Sequence, residues 1–163
     1  MYNFNGPSEF SNAATFKACT SPSNISPPYT TTTTETTIQL AWTAPSNLGG
    51  CPITGYELYV DDGNGGNLVK TDASDIDNKP YLRSHILTFA PLLTGEYFRV
   101  RILAKNEIGS VSSSLTSILL ADVPSKPLLP PEVDLTATDT TQIRVTYSAP
   151  ASTGGSDILS YEV

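Results

Sequence analysis

The chain repeats one segment of its own sequence at a distance of about one small domain. Residues 36–57 read TTIQLAWTAPSNLGGCPITGYE, and residues 141–162 read TQIRVTYSAPASTGGSDILSYE. The two segments align without a gap, so that Trp42 corresponds to Tyr147 and Gly49 to Gly154, an offset of 154 − 49 = 105 residues. A repeat of this length indicates tandem modules, which constrains the fold more than any other feature of the sequence.

A second, sparser alignment places the module boundaries. Asn3 and Gly6 align with Asn106 and Gly109, at an offset of 106 − 3 = 103 residues. We therefore expect the last strand of one module in 1–22, a complete module in 27–122 and the first strands of a third in 128–163. The linker 122–131, DVPSKPLLPP, has four prolines in ten residues and is expected to be extended and fairly stiff.

The complete module has the pattern of an all-β sandwich. Short segments of alternating apolar and polar residues recur between Gly-, Asn- and Pro-containing turns, as in strands with one buried face. The face expected to be buried comprises Ile38, Leu40, Trp42, Tyr56, Leu58, Phe98, Val100 and Ile102, with Ile118 and Leu120 in the last strand at 115–120. A weak edge strand is expected at 67–73, and the five threonines Thr30–Thr34 also suit an edge strand.

Composition excludes some classes of function. The net charge is −7 and the nine Lys and Arg residues are scattered, which argues against nucleic-acid binding. No apolar run reaches the roughly 18 residues of a membrane-spanning helix, so this segment is not expected to insert into a membrane. His85 is the only histidine and has no catalytic or metal-binding context; we expect no catalysis and no cofactor.

These motifs resemble the fibronectin type III family. The resemblance rests on Trp42, the loop with Pro45 and the glycine pair Gly49-Gly50, Leu92-x-x-Gly95, and Asn106-x-x-Gly109. It implies an immunoglobulin-like β-sandwich in tandem, with Leu92 in the core. Phe98 stands where the family usually has a tyrosine, whose hydroxyl is then missing or supplied by Tyr97.

The two cysteines stand at one expected junction between modules. Cys19 lies where the preceding module ends, and Cys51 lies in a loop at the facing pole of the complete module. At the next junction their counterparts are Asp122 and Ser156, so both thiols are absent together. The sequence leaves two alternatives, an interdomain disulfide or two unrelated small residues; a disulfide needs the Cα atoms within roughly 7 Å.

Several other residues are candidate sites with weaker patterns. Asn24-Ile25-Ser26 is an N-glycosylation sequon, and the threonine run is a candidate for O-glycans if the chain is secreted. An acidic group could hold Ca²⁺, but its spacing matches no ordered calcium loop and it is interpreted as a solvated edge. An outward basic stripe could bind acidic glycans and is interpreted as ordinary strand surface. The acidic group is Asp61, Asp62, Asp72, Asp75 and Asp77, and the basic stripe is Arg99, Arg101 and Lys105.

The resemblance implies a non-catalytic, structural role. Such modules space and present surfaces for other proteins in adhesion, matrix or receptor-like chains. The low charge, the sequon and the two cysteines favour an extracellular or cell-surface location. The alternatives are an intracellular cytoskeletal or ciliary array and an accessory module of a secreted enzyme.

Overall fold

The computed structural model describes residues 1–72 and 76–162. Twelve short strands are described, and a single 3₁₀ turn covers Pro91–Leu93. The strands are β1 (Tyr2–Asn3), β2 (Gly6–Pro7), β3 (Tyr29–Thr33), β4 (Thr37–Ala41), β5 (Gly55–Val60), β6 (Val69–Lys70), β7 (Ser84–Thr88), β8 (Tyr97–Lys105), β9 (Ser110–Ser112), β10 (Thr116–Leu119), β11 (Glu132–Val133) and β12 (Val145–Thr146).

Strands β3 to β10 form a sandwich of two antiparallel sheets. One sheet has the order β3-β4-β7, and the other has the order β10-β8-β5-β6 with β9 also paired to β8. The threonine-rich β3 is therefore an edge strand, and a register shift between Thr30 and Thr32 interrupts its pairing with β4. The last strand expected at 115–120 is present as β10, and the structure adds β9 before it; both pair with β8.

The core lies between the two sheets and follows from the alternation in the strands. In β8 every second side chain is buried, because successive residues of a strand point to opposite faces. The rings of Phe89 and Phe98 pack with their centroids 4.1 Å apart. Fully or almost fully buried are Ile38, Leu40, Trp42, Tyr56, Leu58, Ile76, Phe98, Val100, Ile102, Ala104 and Leu120.

The structure corrects one expectation for the corner before β8 and removes one of two alternatives. Leu92 was expected in the core but is 95% exposed, whereas Leu93 is partly buried against it. The tight 3₁₀ turn at Pro91–Leu93 rotates successive side chains by about a third of a turn, which directs Leu93 rather than Leu92 inward. Tyr97 cannot supply the missing hydroxyl to the interior, since it is 59% exposed on the opposite face of β8 from Phe98.

The segments on either side of the sandwich form two small strand pairs. β1 pairs with β2, and β11 pairs with β12, both antiparallel. Their apolar side chains are largely exposed; Phe4, Phe10, Leu135 and Leu159 are each more than four-fifths accessible. The expected edge strand at 67–73 is limited to β6, and its last residue, Ala73, lies outside the described residues.

Candidate functional site

The segment that enters the sandwich lies against the loop that follows β4. The Thr20 amide donates to the Gly49 carbonyl at 2.8 Å, and the Ser23 amide donates to the Asn47 carbonyl at 2.9 Å. Further along, the Ser46 amide donates to the Asn24 carbonyl at 3.0 Å. Backbone hydrogen bonds thus hold the entering segment against one pole of the module.

The close approach of the two backbones depends on glycine. Gly49 has φ +73°, in the region that favours glycine, and a Cβ placed there would overlap the carbonyl oxygen of Thr20. Gly50 has φ +82°, and a Cβ there would lie 3.3 Å from the Ala18 carbonyl oxygen. The glycine pair therefore serves both the turn and the contact with the entering segment.

Asn106 connects the same contact to the loop between β8 and β9. Its Nδ2 donates to the Thr20 carbonyl at 2.7 Å and to the Leu48 carbonyl at 3.0 Å. Its Oδ1 accepts from the amides of Ile108 and Gly109 at 2.9 and 3.0 Å. Only 7% of Asn106 is exposed, so this buried amide uses both its donors and its acceptor.

Cys19 and Cys51 meet beside this contact. Their Sγ atoms lie at bonding distance and their Cα atoms are 5.6 Å apart, within the roughly 4.4–6.8 Å range of disulfides. Cys51 is 1% exposed, and Glu107 Oε1 lies 2.6 Å from its Sγ and 3.4 Å from the Sγ of Cys19. The sequence did not point to Glu107, because its counterpart in the repeated Asn-x-x-Gly motif is Phe4.

The linker 122–131 repeats the hydrogen bonds of the entering segment, and this corrects one sequence equivalence. The Asp122 amide donates to the Gly154 carbonyl at 2.8 Å, as the Thr20 amide does to Gly49. Asp122 therefore corresponds to Thr20, and the counterpart of Cys19 is Ala121, not Asp122 as the sequence alignment indicated. Since Ala121 also lacks a thiol, the two contacts still differ in their capacity for a cross-link.

Asn24 lies on this entering segment and its side chain is exposed. Its backbone has φ +60°, a conformation that asparagine adopts more readily than most residues. Ser26, the third residue of the sequon, is exposed as well, whereas Ile25 between them is buried in the core. The threonines of β3 are mostly exposed, which is the accessibility that the glycan hypotheses require.

The acidic group does not form one solvated edge. Asp61 is 5% exposed and accepts from Arg99 Nε at 2.7 Å and from the Arg99 amide at 2.9 Å. Burial raises the pKa of the Asp61 carboxyl, but the hydrogen bonds from Arg99 and Gly63 outweigh it and hold that pKa below its ordinary value. Asp62 accepts from the amides of the following turn, and Asp75 lies outside the described residues.

The side chains of the basic stripe contact other residues of the same module. Besides Arg99 on Asp61, Lys105 Nζ lies 2.8 Å from Glu57 Oε1, and the Arg101 guanidinium lies 5.2 Å from the centroid of the Tyr59 ring. The hydrogen bond from Lys105, with a further one from Lys70, lowers the pKa of the Glu57 carboxyl to about 2 against the effect of burial. These contacts support the interpretation of the stripe as strand surface. His85 lies half-buried in β7.

The fold and the site define the class of protein. Two antiparallel sheets pack face to face around a buried tryptophan, and the order of their strands is that of an immunoglobulin-like β-sandwich. The sequence profile of the fibronectin type III domain matches residues 21–118. The chain belongs to the fibronectin type III family, whose members are mostly non-catalytic modules. The matched span includes Cys51 and begins after Cys19.

Two curated relatives are much longer proteins. The chain is 33% identical over 119 residues to the cell adhesion molecule DSCAM of Rattus norvegicus and to that of Mus musculus. These alignments cover 70% of this chain but only 5% of each relative. The similarity is thus to a small part of an adhesion protein.

Solved structures share the fold at low sequence identity. A solution structure of the fourth FNIII domain of a human protein has a TM-score of 0.53 and 19% identity, covering 72% of this chain and 95% of that domain. The twitchin kinase region from C. elegans has a TM-score of 0.53 and 19% identity, covering 71% of this chain and 19% of that one. In the range 1–72 and 76–162, no helix is long and apolar enough to cross a membrane.

Proposed function

We propose that this segment is part of a tandem array of fibronectin type III modules that spaces and presents protein-binding surfaces at the cell surface, without catalysis. The observation that carries the proposal is the repeated strand pairing at its two ends. The pairs Tyr29↔Ala41 and Thr30↔Leu40 recur as Glu132↔Thr146 and Val133↔Val145. A second set of first strands follows the complete module in the same register.

The other end supports the same organisation. Tyr2 pairs with Pro7 in the β1–β2 hairpin as Lys105 pairs with Ser110 in the β8–β9 hairpin, at an offset of 105 − 2 = 103 residues. The Asn5 amide donates to Asn3 Oδ1 at 2.8 Å, the counterpart of the bond from Ile108 to Asn106. We infer the boundaries 1–22, 27–122 and 128–163 from these matches. Ile143, Tyr147 and Tyr161 are exposed here but stand 105 residues after three core residues, which are Ile38, Trp42 and Tyr56.

The adhesion part of the proposal draws on the similarity to DSCAM and on the junction chemistry. A disulfide between Cys19 and Cys51 would persist in an oxidising compartment and would fix the entering segment to the pole covalently. The exposed Asn24 would carry an N-glycan in the same compartment. The partners are then other proteins, with glycans as possible additions.

One measurement on the native protein, purified from its source, tests the location. Intact mass is recorded with and without reductant in the presence of an alkylating agent, and with and without an N-glycosidase. The proposal predicts that Cys19 and Cys51 resist alkylation until reduced and that Asn24 loses a glycan mass. A matched Ser26→Ala variant removes the sequon and should remove that mass. Two freely alkylated cysteines together with an unmodified Asn24 would instead favour an intracellular structural array.

Binding is tested separately from location. Beads coated with the full 163-residue chain are offered to extracts of cell-surface proteins, and beads coated with the urea-unfolded, reduced chain serve as the control. The proposal expects saturable capture that depends on the folded sandwich, and no turnover of captured proteins. Binding that is equal on folded and unfolded beads would contradict a role in presenting a surface.

A further inference from the structure

A second contact surface lies at the end of the sandwich opposite the cysteines. Glu35 is in the turn between β3 and β4, and Thr94 and Gly95 are in the corner before β8. We call these three residues the pole surface. Thr94 Oγ1 donates to the Glu35 carbonyl at 2.7 Å, and the Gly95 amide donates to the Leu120 carbonyl at 2.7 Å. These bonds tie the two loops to each other and to the end of the last strand before the linker.

The loop 152–155, which follows β12, packs on this pole surface. Ser152 Oγ donates to Glu35 Oε1 at 3.3 Å. A Cβ on Gly155 would lie 2.7 Å from Thr94 Cγ2 and 2.8 Å from the Gly95 nitrogen, and a Cβ on Gly95 would lie 3.2 Å from the Gly155 carbonyl oxygen. A side chain at position 155 would therefore collide with the pole surface, and one at position 95 would be tightly packed against the loop.

The same loop holds the linker on its other side. The Asp122 and Ser125 amides donate to the carbonyls of Gly154 and Ser152 at 2.8 and 2.9 Å. A Cβ on Gly154 would overlap the Asp122 carbonyl oxygen, as a Cβ on Gly49 would overlap that of Thr20. The values of φ agree as well, +74° at Gly154 against +73° at Gly49. The loop thus contacts both the linker and the sandwich that precedes it.

We propose that residues 152–155 are a docking loop for the pole surface, so that successive modules meet through a fixed interface instead of a free hinge. The partner of the pole surface is the next module of the same chain. This inference rests on the proposed tandem organisation and deepens it. The glycine pair is a docking element that recurs once per module. Residues 47–50 would then dock in the same way on a preceding module, against its turn between the first two strands and its corner before the long strand that corresponds to β8.

Amide hydrogen exchange of the full chain, followed residue by residue by NMR, tests the interface from both sides. Gly155→Ala places a methyl group against Gly95, and Glu35→Ala removes the acceptor of Ser152 from the other side. The matched control is Gly65→Ala, because Gly65 has φ +76° but nothing within 4 Å of its added Cβ. The control therefore carries the backbone strain without the collision.

We expect Gly155→Ala to accelerate exchange of the Asp122 and Ser125 amides about ten-fold, and Glu35→Ala to accelerate exchange of the same two amides about three-fold. The reason is that the hydrogen bonds of these amides to the loop 152–155 open when the interface opens. The Thr20 and Ser23 amides at the first junction should exchange at unchanged rates in all variants. Gly65→Ala should leave all four amides unchanged. If Gly155→Ala and Glu35→Ala exchange like the control at Asp122 and Ser125, the docking interface is refuted.

A second measurement separates docking from a local effect within the loop. Residual dipolar couplings of residues 29–119 and 132–155 should fit one alignment tensor in the parent chain and two tensors in Gly155→Ala. Two tensors in the parent chain would refute the fixed interface. Neither readout depends on cell-surface location or on binding of another protein. The docking interface and the proposed adhesion role can therefore fail independently.

Discussion

Replacing Cys19 and Cys51 together by serine removes the proposed cross-link with little change in side-chain size. Cys51 is almost fully buried, and the hydroxyl introduced there can donate to the Glu107 carboxylate that lies 2.6 Å from the sulfur. The double variant thus creates no large cavity and no unpaired buried hydroxyl. Any loss of stability then reports the cross-link itself.

The expected loss follows from the length of the closed loop. The two cysteines are 32 residues apart in sequence, and the loop between them contains β3 and β4. A cross-link of that span lowers the conformational entropy of the unfolded chain enough to stabilise the folded state by about 3–4 kcal/mol. With an ordinary urea dependence for a domain of this size, the unfolding midpoint should fall by roughly 2 M.

Fluorescence of Trp42 measures this directly, because it is the single tryptophan of the chain and is 2% exposed in the core. Urea unfolding is compared for the oxidised parent chain, the same chain kept reduced, and the double serine variant. The reduced chain and the variant should unfold together, both below the oxidised chain. Coincident curves for all three would refute the cross-link, and a variant far below the reduced chain would refute the entropic reasoning.

Three further predictions concern the polar contacts. Glu57→Gln should lower the free energy of unfolding by about 1–2 kcal/mol at pH 7, a value that allows for the partial exposure of its lysine partners. Because the pKa of Glu57 in the folded state is depressed to about 2, this loss should disappear as the pH falls from about 4.5 towards 2, which urea titrations measure. Asp61→Ala should cost about 2–3 kcal/mol by the same assay, because it leaves the bonds from Arg99 unmade, whereas the exposed Asp62→Ala should cost less than about 1 kcal/mol. Asn106→Ala should cost about 2 kcal/mol and should speed reduction of the cysteine pair by dithiothreitol; an unchanged reduction rate would contradict the role of Asn106 in holding Thr20.

Much of the fold was accessible from the sequence because it depends on local periodicity. Alternation along β8 identifies which of its side chains are buried, and the position of Trp42 in the repeated segment identifies the centre of the core. Periodicity fails where the backbone is irregular. The 3₁₀ turn exchanges Leu92 for Leu93, and the hydrogen bonds of Arg99 take Asp61 out of solvent. Neither event leaves a pattern in neighbouring residues.

The sequence by itself determined the module, its family and the candidate pairing of Cys19 with Cys51, because repeats and spacings are properties of the chain in one dimension. Only the tertiary structure decided what the glycine pair contacts. Gly49 and Gly154 are recognisable as turn residues, but the carbonyls of Thr20 and Asp122 that lie against them come from segments about 30 residues earlier. Such approaches depend on how the sheets orient their loops, so these backbone contacts became visible only in three dimensions.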